Sequence, residues 1–115
     1  MMKIEERPVL NGVVLDITGD LTYANREVFT AAVEAVRRKG CRHLILNMAV
    51  VRFVDSSGLG LLALVSQQFK AAQGRVSLVN PQSYVLEIMS LANIAQLMAI
   101  YDTEQAAQAG SPQAA

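Results

Sequence analysis

The stretch Val54-Asp55-Ser56-Ser57-Gly58-Leu59-Gly60-Leu61-Leu62 constrains the fold of this chain more than any other. Before it, Val50-Val51-Arg52-Phe53-Val54 is rich in β-branched and aromatic residues and reads as a strand or its end. After it, Leu59, Leu62, Ala63 and Phe69 recur at helical spacing, with Gln67, Gln68 and Lys70 on the other side. Asp55 to Gly58 is therefore a strand-to-helix turn, with Asp55 or Ser56 as the N-cap. The glycines let the backbone approach a neighbour closely. The free N–H groups of the first helical turn point outward, and the positive end of the helix favours an anion there.

A phosphate on Ser56 or Ser57 would meet those donors. It would change the local charge by roughly −1.5 to −2 at neutral pH. Taken alone, Asp-Ser-Ser-Gly reads first as an ordinary helix cap; the residues permit a charge switch without requiring one.

The rest of the chain supplies alternating strands and helices. Lys3 to Leu10 and Gly12 to Ile17 read as strands joined near Asn11-Gly12, with Pro8 placing the first at a sheet edge. Thr22 to Asn25 offers caps for a helix whose buried stripe is Phe29, Ala32, Val33 and Val36, and Gly40 ends it. Arg37, Arg38 and Lys39 complement the dipole of that last turn. Leu44-Ile45-Leu46 suits a strand covered on both faces, and His43 just before it reads as strand-end packing, not as a metal ligand. The helix after the motif runs to about Ala72. Val76 to Val79 is a further strand, Gln82 to Leu91 a helix with Val85, Ile88, Met89 and Ala92 as its stripe, and Leu97 to Tyr101 a short last strand. Thr103 caps an Ala-rich segment. The five methionines read as core filler. This pattern is an α/β layer structure with a mixed, mostly parallel β-sheet and helices packed against it.

Composition narrows the function. A chain of 115 residues, 52% hydrophobic and 17% charged, makes one folded domain, expected over residues 1–105, with a flexible C-terminal tail over 106–115. Ten basic and ten acidic residues cancel, which removes the footprint of a nucleic-acid binder. Cys41 is the only cysteine and forms no internal disulfide. With no apolar run long enough for a membrane span and no secretory core at the start, a cytoplasmic protein is expected.

Asp-Ser-Ser-Gly-Leu-Gly between apolar flanks resembles the signature of the STAS domain, and most of all that of the stand-alone bacterial anti-sigma factor antagonists. Gly19-Asp20-Leu21 before a helix is similar to the family's Gly-acid-Leu segment. Arg42-His43-Leu44-Ile45-Leu46-Asn47 resembles its central strand, and Asn80-Pro81 its strand-to-helix turn. The resemblance covers roughly residues 3 to 105 in order. It implies a STAS-like fold and a phosphorylation site at Ser57, with Asp55, Ser56, Gly58, Leu59 and Thr22 at the partner surface. It also implies an anti-sigma factor serine kinase as partner and a serine phosphatase to reset the switch, with no cofactor. Thr22 stands where the family commonly has Asp.

Leu61 and Leu64 lie off the stripe of Leu62, Val65 and Phe69, either as a wider burial arc or as an apolar ledge for a partner. A non-switching scaffold subunit of a stressosome-like or lipid-transport assembly is the alternative, to which Thr22 adds modest weight. An enzyme is not expected: Asp55 occupies the first glycine position of Gly-x-Ser-x-Gly, and His43 is the only candidate base.

Overall fold

The computed structural model describes residues 1–109. Its centre is a five-stranded sheet in the order β1-β2-β3-β4-β5. The strands are β1 (Lys3–Val9), β2 (Gly12–Thr18), β3 (His43–Val50), β4 (Arg75–Val79) and β5 (Ala99–Tyr101). β1 and β2 are antiparallel and every later pair is parallel. The mixed sheet and the edge position of β1 follow the sequence reading, and Pro8 sits where its missing N–H costs no internal ladder bond.

Helices α1 (Arg26–Arg38), α2 (Ser56–Ala71) and α3 (Ser83–Leu91) are the three crossovers between parallel strands. Because strand order follows chain order, each crossover steps the same way, and a common hand places all three on one face. Their buried residues share a single core there: Phe29, Val33 and Val36 of α1, Leu62, Val65 and Phe69 of α2, and Val85 and Met89 of α3 meet Leu15, Ile17, Leu44, Leu46, Met48 and Leu78 of the sheet. Four of the five methionines are buried, and Met1 is exposed.

The second face is covered by α4 (Glu104–Ala109), whose Ala107 packs on Val14, Ile45 and Val79. Thr103 caps α4, its Oγ1 accepting from the Ala106 N–H at 3.1 Å. The segment expected as tail from residue 106 thus begins within α4, and residues 110–115 lie outside the described residues. Arg7 ties this face together. Its guanidinium meets Asp16 through Nε (2.5 Å) and Glu104 through Nη2 (2.7 Å), while Asn47 Nδ2 donates to Asp16 at 2.8 Å.

Three local expectations need correction. Val50–Val54 is not a strand: β3 ends at Val50, the Val51 N–H turns back to the Met48 carbonyl at 3.0 Å, and only Val54 pairs, as an isolated parallel bridge with Leu21. β-branched residues favour extended backbone, but they do not supply a partner strand. Thr22 and Asn25 do not cap α1 through their side chains; a 3-10 turn, Tyr23–Asn25, leads into the helix, and Asn25 Nδ2 donates to the Asp20 carbonyl at 2.7 Å. Ala92 is exposed, so the buried stripe of α3 reduces to Val85 and Met89, with Ile88 half-buried. The basic end of α1 is paired: Arg37 with Glu34 at 2.8 Å and Lys39 with Glu6 at 2.8 Å.

Candidate functional site

Asp55 is the N-cap of α2, in extended backbone (φ −94°, ψ −176°). One carboxylate oxygen accepts the Gly58 N–H at 2.8 Å and the other accepts the Tyr23 N–H at 3.1 Å. A helix start built this way depends on a short acceptor side chain, which fixes the cap residue as Asp55 and not Ser56. The same turn is stitched to the segment after β2 by Leu21 N–H to the Phe53 carbonyl (3.0 Å) and Asp55 N–H to the Leu21 carbonyl (3.2 Å).

Gly58 makes that approach possible. A Cβ at this position would run into the Leu21 carbonyl oxygen and the Val54 side chain. Gly60, in contrast, faces open space. The sequence reading gave both glycines one role; the fold gives it to Gly58 alone.

Asp55, Ser56, Ser57 and Gly58 therefore come together with Thr22 at one end of the sheet, beyond the C-terminal ends of the interior strands β2 and β3. Ser56 is exposed, while Ser57 and Thr22 are half-buried. Among the described residues neither serine hydroxyl has a hydrogen-bond partner, and Thr22 makes no side-chain cap bond. Leu59 turns toward the core and packs against it in part. Leu61 also packs partly against the core and lines a groove of about 550 Å³ between α1 and α2, with Arg26, Glu27, Thr30, Glu34 and Arg38. Leu64 remains 49% exposed, so the ledge resolves into one residue in a groove and one open to solvent.

Two features of this end escaped the sequence reading. Phe53 and Tyr84 stack with ring centroids 6.3 Å apart and planes 21° off parallel, although 38% and 56% exposed. This places an apolar platform from α3 beside the motif. The one signal in the sequence is that Tyr84 and Leu86 fit no stripe of α3. The other feature is Arg26, whose guanidinium lies 3.7 Å over the Tyr23 ring while Nη1 donates to the Tyr23 carbonyl at 2.8 Å.

His43 and Ser77 form the other pairing of polar side chains that invites a chemical reading. They are buried, with Nε2 and Oγ 2.7 Å apart, and Arg75 Nη2 stands 3.4 Å from Nδ1. A guanidinium only donates, so Nδ1 is the acceptor and Nε2 carries the proton toward Ser77. That is the reverse of a base poised to take a serine proton. Burial and the Arg75 charge pull the imidazole down to about 4, which keeps it neutral. His43 is the strand-end packing residue its position suggested. Cys41 donates its thiol to the His43 carbonyl at 3.3 Å, and burial pushes its pKa up, away from reactivity. Among the described residues no three of His, Cys, Asp and Glu gather as a metal site, and no helix is long and apolar enough to cross a membrane.

The profile of the STAS domain matches residues 1–107. The chain belongs to the STAS domain family. Among STAS relatives, the anti-sigma F factor antagonist of Paenibacillus polymyxa is 29% identical over 97 residues, covering 80% of each chain. The solved structure of the anti-sigma factor antagonist SpoIIAA in its unphosphorylated form superposes with a TM-score of 0.77 at 25% identity, covering 92% of this chain and 93% of that one. The phosphorylated form of the Bacillus cell fate determinant SpoIIAA superposes with a TM-score of 0.70 at 25% identity, covering 93% of this chain and 97% of that one. The STAS fold accounts for the five-stranded mixed sheet and for the turn that carries Asp55 to Gly58 between β3 and α2.

Proposed function

We propose that this protein is an anti-sigma factor antagonist switched at Ser57. Unphosphorylated, it binds a kinase-type anti-sigma factor in the cytoplasm and so releases a sigma factor. Phosphorylation of Ser57 by that kinase breaks the complex, and a serine phosphatase restores it. The domain itself performs no catalysis. The observation that carries this reading is the setting of Ser57: half-buried on the first turn of α2, its hydroxyl uncommitted, beside a carboxylate already occupied by two backbone N–H groups. A phosphate there adds charge and a desolvation cost to whatever surface covers it. Thr22, Asp55, Ser56, Gly58, Leu59 and Leu61 shape that surface in this reading, with Phe53 and Tyr84 extending it as an apolar platform.

Relatives named as antagonists of anti-sigma factors, and a likeness to SpoIIAA in both phosphorylation states, support it. The test is mass spectrometry of the protein from growing and stressed cells, together with its co-purifying partners. Phosphate on Ser57 in one state, and an ATPase partner bound only in the other, is the expected result. With the isolated partner, Ser57→Ala keeps binding and Ser57→Asp loses it. An unmodified Ser57 with constant partners in both states overturns the switch in favour of a scaffold subunit, the role toward which Thr22 points.

A further inference from the structure

The first turns of α1 and α2 lie at the same end of the sheet, because the helices follow β2 and β3, which are parallel neighbours. They are locked together there by the Tyr23 N–H on Asp55 and by the close approach of Gly58 to Leu21. Ser57 and Leu61 are four residues apart and so share one face of α2. Leu61 lines the groove that Arg26 also lines. Ser57 lies one helical turn before Leu61 and two residues after Asp55, the residue that holds the Tyr23 N–H, and Arg26 rests on the ring of that same Tyr23.

Arg26 is weakly committed. Its guanidinium rests on the face of the Tyr23 ring and donates to a neutral carbonyl, that of Tyr23. Its nearest carboxylate is Glu27 at 3.9 Å, with a side chain 88% exposed, a contact of little energetic weight. Among the described residues Arg26 forms no ion pair with Asp55, whose two oxygens accept backbone N–H groups. Thr22 adds no negative charge to compete for it. A dianionic phosphate would offer this planar fork a bidentate partner that nothing in the unmodified site supplies.

We propose that Arg26 is the residue that receives the phosphate of a modified Ser57, leaving the face of Tyr23 uncovered as it does so. The inference rests on the reading of Ser57 as a phosphoacceptor. It adds a second output to the switch: besides placing charge on α2, modification changes what an exposed tyrosine before α1 presents. Tyr23 is 58% exposed, so the change lies where a partner would meet it.

Phosphoserine placed at position 57 by genetic encoding in the full chain separates this inference from the question of whether cells modify Ser57. The phosphate is titrated by phosphorus NMR in the parent, Arg26→Gln, Arg26→Lys and Arg52→Gln. An unperturbed phosphoserine titrates near about 6. The expected result is a midpoint lower by about half a unit or more in the parent and in Arg52→Gln than in Arg26→Gln, with Arg26→Lys intermediate. Ring signals of Tyr23 should move on phosphorylation in the parent and stay in Arg26→Gln. Equal midpoints in parent and Arg26→Gln, or a depression abolished by Arg52→Gln instead, overturn the proposal while leaving the Ser57 switch standing. Unmodified Ser57 in cells would remove the switch without touching this measurement. Arg26→Lys retains the long side chain and the charge, and it answers the question should Arg26→Gln fold poorly.

Discussion

The backbone N–H of Tyr23 donates to Asp55 Oδ2 at 3.1 Å across 32 residues of sequence, while Oδ1 of the same carboxylate holds the Gly58 N–H at 2.8 Å. One side chain therefore caps α2 and ties it to the segment that opens α1. Asp55→Ala should cost about 1–2 kcal/mol of stability, near the upper end for a helix cap, because two N–H groups lose their acceptor. Asp55→Asn should cost less, keeping an acceptor and losing the favourable charge at the helix start. Urea unfolding of the three proteins checks the order; equal midpoints for parent and Asp55→Ala would show that the cap carries no stability.

Gly58 and Gly60 differ in what surrounds them, and their alanine variants should differ in sign. Gly58→Ala forces a methyl against the Leu21 carbonyl, a backbone atom that cannot swing aside. It should destabilise by about 1–3 kcal/mol, as overpacking does. Gly60→Ala meets open space inside α2 and should stabilise by about 0.5–1 kcal/mol through helix propensity. Thermal unfolding of both variants is decisive, and a stabilised Gly58→Ala would refute the packing of this turn.

Acid should unfold the protein in two windows. The His43 imidazole is held near 4 in the folded state against an ordinary 6.5, so the unfolded chain binds the proton first as pH falls. Stability is therefore full above about 6.5 and declines toward pH 4. The Arg7 guanidinium holds the Asp16 carboxyl below its usual range through hydrogen bonds, so a second contribution, present above the ordinary carboxylate range, is lost only as pH falls further. Unfolding free energies across pH 8 to 3 should show a shallower first decline in His43→Gln than in the parent. Parallel curves in both proteins would place the acid sensitivity elsewhere.

How much of this was legible in the sequence depended on whether the signal was local. A cap at Asp55 or Ser56 and the edge strand marked by Pro8 follow from residues within a few positions of each other, and the structure has only to choose Asp55 between the two candidates. The 3-10 turn at Tyr23 does not follow in this way, because Asn25 gives its side chain to the Asp20 carbonyl in place of a cap, a choice made by the loop. Val50–Val54 has the composition of a strand, yet the chain has already left the sheet there and meets only Leu21. The Phe53–Tyr84 stack and the placement of Arg26 over Tyr23 join side chains that only the crossovers bring together or only a turn orients. Ala107 sealing the second face is the extreme case: nothing in an Ala-rich hexamer announces that it will cover Ile45.

The order of the strands has a consequence for how the molecule is made. Each strand lies beside the one synthesised just before it, so a chain emerging from the ribosome never waits for a distant segment to complete a ladder. Each parallel pairing still closes over a crossover helix, as Val13 does with Leu44 and His43 with Arg75, a loop-closure cost that the β1–β2 hairpin does not carry. The end of the sheet holding Asp55, Ser57 and Tyr23 can assemble once α2 has emerged, whereas the apolar strip of Val14, Ile45 and Val79 stays uncovered until α4 arrives. In a nascent or prematurely terminated chain, the switch end precedes the seal, and that bare strip is the surface a chaperone would find.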